Sequence, residues 1–135
     1  KLRKGLGLPL IGEKKFIQQK KLYLYVSNLF GKENTEENNR EVLEGGLELD
    51  VYVPESKLAF EYQGRQHFEY IDLFHHTQER FLAYKLRDRL KEKLCQQKGI
   101  TLIKITYKEK LSEQLVIQKL NEYHVMIPQQ IIIET

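Results

Sequence analysis

LELDVYVPESKLAFEYQGRQHFEY, residues 47–70, decides how the rest of the chain is read. Two short runs rich in Val, Tyr, Leu and Phe flank a Pro-containing turn, the pattern of a β-hairpin. With residues 54–57 as a four-residue turn, Val53 pairs with Leu58, Tyr52 with Ala59 and Asp50 with Glu61. Leu49, Val51 and Val53 then share an apolar face with Tyr62, Phe60 and Leu58. Glu48, Asp50, Glu61 and Gln63 share the other. A one-residue slip would turn the acids into the apolar side, so this register is strongly specified. Cross-strand partners have β-carbons roughly 5 Å apart, and like charges there repel. That spacing suits one hard cation held by oxygen ligands. The plainer alternative is the wet face of an antiparallel hairpin.

Outward from the hairpin, residues 1–12 are basic and punctuated by Gly and Pro, which reads as an arm. A helix is expected from Glu13 to about Phe30, then a polar loop over 31–39, a first strand over 40–44, and a Gly45–Gly46 turn. Beyond the hairpin, residues 64–76 read as a loop. The clearest helix runs from about Thr77 to Lys98, where Leu82, Leu86, Leu90 and Leu94 recur at i, i+4. Gly99 stops it, and ITLIKITY reads as a buried strand. Residues 111–123 look helical, and 124–135 form a tail or extra strand. The order α-β-β-β-α-β-α implies one α/β (α+β) domain over 13–123, built on a mixed four-stranded sheet flanked by helices.

Length and composition agree with a single globular domain: 135 residues, 41% hydrophobic and 30% charged. No apolar run reaches the roughly 20 residues of a membrane span, and the start does not resemble a secretion signal. One cysteine, Cys95, excludes an internal disulfide and favours an intracellular setting (nucleus, cytoplasm or organelle). The chain does not begin with Met, as expected for a piece of something longer. The net charge of +3 hides a segregation: a basic start, nine acids against two bases over 33–61, and a basic second half. An acidic cluster between basic segments is what a metal site facing a polyanion would show; an ordinary solvated surface would show it too.

An acid on one strand, then Glu-x-Gln on the next running into QGRQHF, then a long helix and GITLIKITY, resembles the PD-(D/E)xK nuclease superfamily. The likeness is strongest to very-short-patch repair endonucleases and small restriction-endonuclease-like domains, and it extends from Glu13 to about Tyr107. It implies an αβββαβ core and a nuclease that hydrolyses nucleic-acid phosphodiesters, DNA favoured over RNA, with Mg²⁺ or Mn²⁺ as cofactor. Asp50 and Glu61 match the superfamily's metal-binding acids, with the Tyr62 backbone carbonyl as a third ligand. Glu13 matches an extra acid found in several branches; it also reads as a first-turn acid opposing the helix dipole. Leu49 stands where the motif has Pro. Gln63 stands where it usually has Lys, so a charge is missing from the group that orients the attacking water.

His67 and Gln66 follow the strand closely enough to reach a phosphate. Arg87 and Lys91 lie along one flank of the leucine stripe and could restore the missing charge or bind phosphate, as could Lys14 and Lys15 near the arm. Glu48 is one pair too far for direct ligation. His75 and His76 lack a matching partner, and Cys95 extends an apolar face. The second functional class is a catalytically inactive nucleic-acid- or protein-binding module on the same fold, which Gln63 keeps open. A homodimer is compatible with either. A small-molecule enzyme of Rossmann type is a poor third reading, since no Gly-rich phosphate loop lies between a strand and a helix.

Overall fold

The computed structural model describes residues 11–65, 68 and 77–128, and the side chains of all of these except 11–15. Helix α1 spans Ile11–Phe30 and is followed by strand β1, Glu36–Asn39. The hairpin strands are β2, Leu49–Val53, and β3, Leu58–Gln63. Helix α2, Gln78–Gln97, crosses to β4, Thr101–Thr106, and α3, Glu113–Glu122, follows. The sheet order is β1-β2-β3-β4; the first three strands are antiparallel neighbours, and β3 and β4 run parallel. Among the described residues this is an α+β fold with a mixed four-stranded sheet and three helices, as the pattern of the sequence implies.

The hairpin register is the expected one: Val53 faces Leu58, Tyr52 faces Ala59 and Val51 faces Phe60. The turn closes through a Lys57 N–H to Pro54 carbonyl bond of 3.1 Å, and Lys57 takes a left-handed φ of 46°. Every residue of β2 and β3 is buried. The two central strands are therefore covered on both faces, and the acids are not on a wet surface.

One face carries the main core. Leu22, Val26, Leu29 and Phe30 of α1 recur at helical spacing and meet Val51, Val53, Leu58, Phe60, Tyr62, Ile103 and Ile105. Val116 and Leu120 of α3 and Ile127 complete it. The opposite face has a smaller apolar cluster of Leu43, Leu49, Tyr52, Ala59, Cys95 and Ile100. Leu49 thus departs from the expected apolar side.

Three expectations need correction. The first strand is 36–39, inside the segment read as a loop. Its sequence, EENN, has poor intrinsic strand preference, and it exists because it pairs along β2. Residues 40–44 are not a strand, because the Asn39 side-chain oxygen accepts from the Glu41 and Val42 N–H groups at 3.0 Å and turns the chain. Most important, Leu82, Leu86 and Leu90 do not face the protein; they are 59%, 62% and 48% exposed. Only Leu94 of that stripe packs, against the smaller cluster. Most of the loop read over 64–76 and most of the C-terminal tail lie outside the described residues, as do residues 1–10 of the arm.

Candidate active site

The site grows out of the place where the hairpin ladder stops. The pairing described ends at Val51–Phe60. Beyond it, each strand's amide is taken by the other strand's carboxylate. The Asp50 N–H donates to Glu61 Oε2 at 2.8 Å, and the Tyr62 N–H donates to Asp50 Oδ2 at 2.9 Å. Asp50 and Glu61 are only 3% and 4% exposed. Hydrogen bonds from N–H groups to a carboxylate are shorter and stronger than those between neutral partners.

A third contact comes from α2. The Lys91 ammonium lies 2.8 Å from Glu61 Oε1, with both side chains largely buried. Two carboxylates and one ammonium thus share the floor of a cleft of about 330 Å³. Arg40, Glu48, Tyr84, Arg87 and Asp88 wall it, with Gly45 and Gly46 at its rim. Arg40 is itself oriented by Glu48 at 3.3 Å and by the Gly46 carbonyl at 3.3 Å. The Arg87 guanidinium stacks over the Tyr84 ring at 5.6 Å. The cleft has acids at its floor and guanidinium groups on its walls.

Two further groups on this face were missed in the sequence. Lys104 of β4 stands directly beside Glu61 in the parallel register and forms an ion pair with Glu92. Burial pushes its pKa down, with Asp88 and Glu61 opposing and Lys91 reinforcing that shift. The signal was a lysine in the middle of the otherwise apolar strand TLIKIT, which needs an anionic neighbour. Asp88 shares the inward face of α2 with Tyr84, Lys91 and Cys95 at i, i+4, i+7 and i+11, a series that the leucine stripe obscured.

The expected residues divide clearly. Asp50, Glu61 and Lys91 are brought together, Arg87 lines the same cleft, and Glu48 holds Arg40. Gln63 is buried, 6% exposed, two residues along β3 on the side that carries Glu61. The Gln63 carbonyl accepts from Tyr107 on the β4 side at 2.9 Å. By alternation the peptide groups of Tyr62 point toward β2, so its carbonyl faces the side where Asp50 lies. Cys95 is a core residue, and burial raises its pKa, with Glu61 adding to the shift and Lys91 opposing it. The side chains of Glu13, Lys14 and Lys15, and residues Gln66, His67, His75 and His76, lie outside what the structure describes.

Asp50, Glu61 and the Tyr62 carbonyl are hard oxygen donors of the kind that could hold a divalent cation. Among the described residues no group of three His, Cys, Asp or Glu side chains is assembled. A cation there would keep most of its coordination for water or substrate oxygens, which is usual for Mg²⁺. These oxygens are of the hard type such an ion takes, and both Glu61 oxygens already accept, from the Asp50 N–H and from Lys91.

No known family model matches the chain. Over 61 residues, 45% of this chain and 31% of the relative, it is 43% identical to Uncharacterized protein 307L of Invertebrate iridescent virus 6. It is 39% identical over 67 residues to Uncharacterized protein 033L of Invertebrate iridescent virus 3, covering 50% of this chain and 34% of that one. Uncharacterized protein 094L of Frog virus 3 (isolate Goorha) is 47% identical over 62 residues, 45% of this chain and 40% of its own. The chain spans about a third of the length of these curated relatives. Among the described residues no helix is long and apolar enough to cross a membrane.

Proposed function

We propose that this domain is a metal-dependent endonuclease that hydrolyses phosphodiester bonds of nucleic acid, DNA in preference to RNA, in an intracellular setting. The observation that carries the reading is the pair of buried carboxylates exchanging backbone bonds across the opened hairpin, with an ammonium 2.8 Å from one of them. Burying two like charges together is costly, and the backbone N–H groups and Lys91 that meet them offset part of that cost. A cation site is the simplest function that explains the arrangement.

Asp50, Glu61 and the Tyr62 carbonyl would hold Mg²⁺, with Mn²⁺ as substitute. When bound, such an ion lowers the pKa of a coordinated water and offsets charge developing on the phosphate. The remaining work falls to the protein's own groups. Lys91 supplies, from a helix, the positive charge that Gln63 withholds from the strand. Gln63 orients a water through its amide. Arg40 and Arg87 receive the phosphate backbone at the cleft wall. The resemblance to PD-(D/E)xK nucleases supports the same assignment.

The second reading, a binding module without catalysis, draws on Gln63 and on the Lys91–Glu61 pair, because an ammonium already answers part of the acidic charge. One experiment separates the two. The purified chain is incubated with single-stranded, duplex and branched DNA and with single-stranded RNA, with and without Mg²⁺ or Mn²⁺, alongside Asp50→Ala and Glu61→Ala. Metal-dependent cutting lost in both variants supports the nuclease. Binding that both variants retain, with no cutting of any substrate, favours the module.

A further inference from the structure

Helix α2 is amphipathic in the reverse of the expected sense. Its polar series Tyr84, Asp88, Lys91 faces the cleft, while Leu82, Leu86 and Leu90 are turned to solvent. At about 100° per residue, Glu79, Leu82, Leu86, Leu90 and Lys93 fall within about 40° of one line along the helix. All five are exposed. Neither Glu79 nor Lys93 makes an ion pair with another described residue. A contiguous exposed apolar strip of this kind marks an interaction surface.

The charges at its ends point to the partner. We propose that this stripe is a two-fold interface between two copies of this chain, the α2 helices packing antiparallel about Leu86. An antiparallel two-fold axis through Leu86 sets Leu82 against Leu90 of the second copy. It also brings Glu79 of each copy toward Lys93 of the other, at both ends. Arg89 then lies level with Ala83 of the second copy, and Lys85 with Arg87, the last two about 100° off the contact line. A parallel pairing would instead place Glu79 on Glu79 and Lys93 on Lys93. A patch that is complementary to itself under a two-fold rotation is what an isologous dimer requires. Its 82–86–90 ridge is also of the i, i+4 type that interdigitates in the commonest helix packing.

One helix face is smaller than the roughly 800 Å² per partner of a standard interface, so the association is weak and concentration-dependent. The inference does not depend on the nuclease reading. The test is sedimentation equilibrium of the 135-residue chain from about 1 μM to about 500 μM, a range that brackets micromolar association. The expected result is a rise from the monomer mass toward twice that mass. Leu86→Asp, an exposed position, abolishes the rise while circular dichroism stays unchanged. Glu79→Lys weakens the dimer several-fold, and Glu79→Lys combined with Lys93→Glu restores it. A monomer at every concentration overturns the proposal. So does a dimer indifferent to Leu86→Asp, or a charge swap no better than the single change.

Discussion

Replacing Lys91 with methionine tests the electrostatic account of the site without touching a proposed metal ligand. The ammonium and Glu61 Oε1 are 2.8 Å apart, and the two side chains are 13% and 5% exposed. At an effective dielectric constant of about 20, this contact is worth roughly 6 kcal/mol in gross attraction. Most of that offsets the desolvation of the two ions. Removing one partner leaves the other buried and unpaired, which costs about 3–5 kcal/mol in such settings. Here the lower end applies, because Glu61 keeps the Asp50 N–H and the neighbouring Lys104, and water can enter the open cleft when the ammonium is gone. A loss of about 3 kcal/mol lowers the melting temperature of a domain this size by about 10 °C. Urea denaturation of the wild type, Lys91→Met, Glu61→Gln and the double variant measures it as a cycle. Glu61→Gln removes the stranded charge, so the double variant should be less damaged than the two losses added, by about 2 kcal/mol. Mg²⁺ should stabilise Lys91→Met more than the wild type, since the uncompensated acids bind it harder. A Lys91→Met loss under about 1 kcal/mol that adds simply to that of Glu61→Gln would show that the pair is not a coupled buried contact, and the account of the site would fail.

Three other outcomes are expected. Gln63→Ala should slow metal-dependent cleavage about 10- to 100-fold while leaving calorimetric metal affinity unchanged, because it removes a water-orienting amide and no ligand. Lys57→Gly should raise stability by up to ~1 kcal/mol in urea denaturation, since a non-glycine residue at φ 46° carries strain that glycine does not. Glu109, in the turn after β4, and Lys119, in the last turn of α3, form a 2.7 Å ion pair. Burial alone would raise the Glu109 pKa, but hydrogen bonds from Lys119 and Thr106 outweigh it and hold the carboxyl below its usual value. The same hydrogen bond from the other side raises Lys119. A depressed acid stabilises the fold above its unfolded pKa and loses that contribution as pH falls through the folded value. A raised base stabilises below its unfolded pKa and loses that contribution as pH rises through the folded one. The pair therefore contributes from about pH 4.5 to about pH 10. Glu109→Gln should cost at most ~1 kcal/mol at pH 7, and progressively less as pH falls below 4.5, read from melting curves across pH.

The hairpin was legible because its information is local. Alternation in LDVYV and LAFEYQ, together with a proline turn, fixes both pairing and register, and the structure keeps both. The elements that went astray are those formed by distant partners. Glu36–Asn39 has no strand signature of its own and is extended only because β2 offers an open edge. Leu49 belongs to the expected face by parity, but it packs with Leu43 and Tyr52 where the ladder gives way to carboxylate bonds. Lys104 could have been found from the oddity of a charge inside TLIKIT; its place beside Glu61 needed the parallel register, which no local pattern encodes.

Helix α2 is the instructive case, because a leucine repeat at i, i+4 ordinarily names the buried face. The rule assumes that the surface beneath the helix is apolar. Here the sheet presents Asp50, Glu61 and Lys104, so turning leucines inward would strand two carboxylates and an ammonium against hydrocarbon. The opposite rotation lets Lys91 meet Glu61 and Tyr84 and Asp88 line the cleft, at the cost of exposing Leu82, Leu86 and Leu90. Pairing the buried charges is worth more than covering three half-exposed leucines, each of which gives only about 1 kcal/mol for the area it would lose. The acids of the hairpin thus dictate the rotation of the helix above them. The leucines left outside are then free for the second copy that their end charges fit.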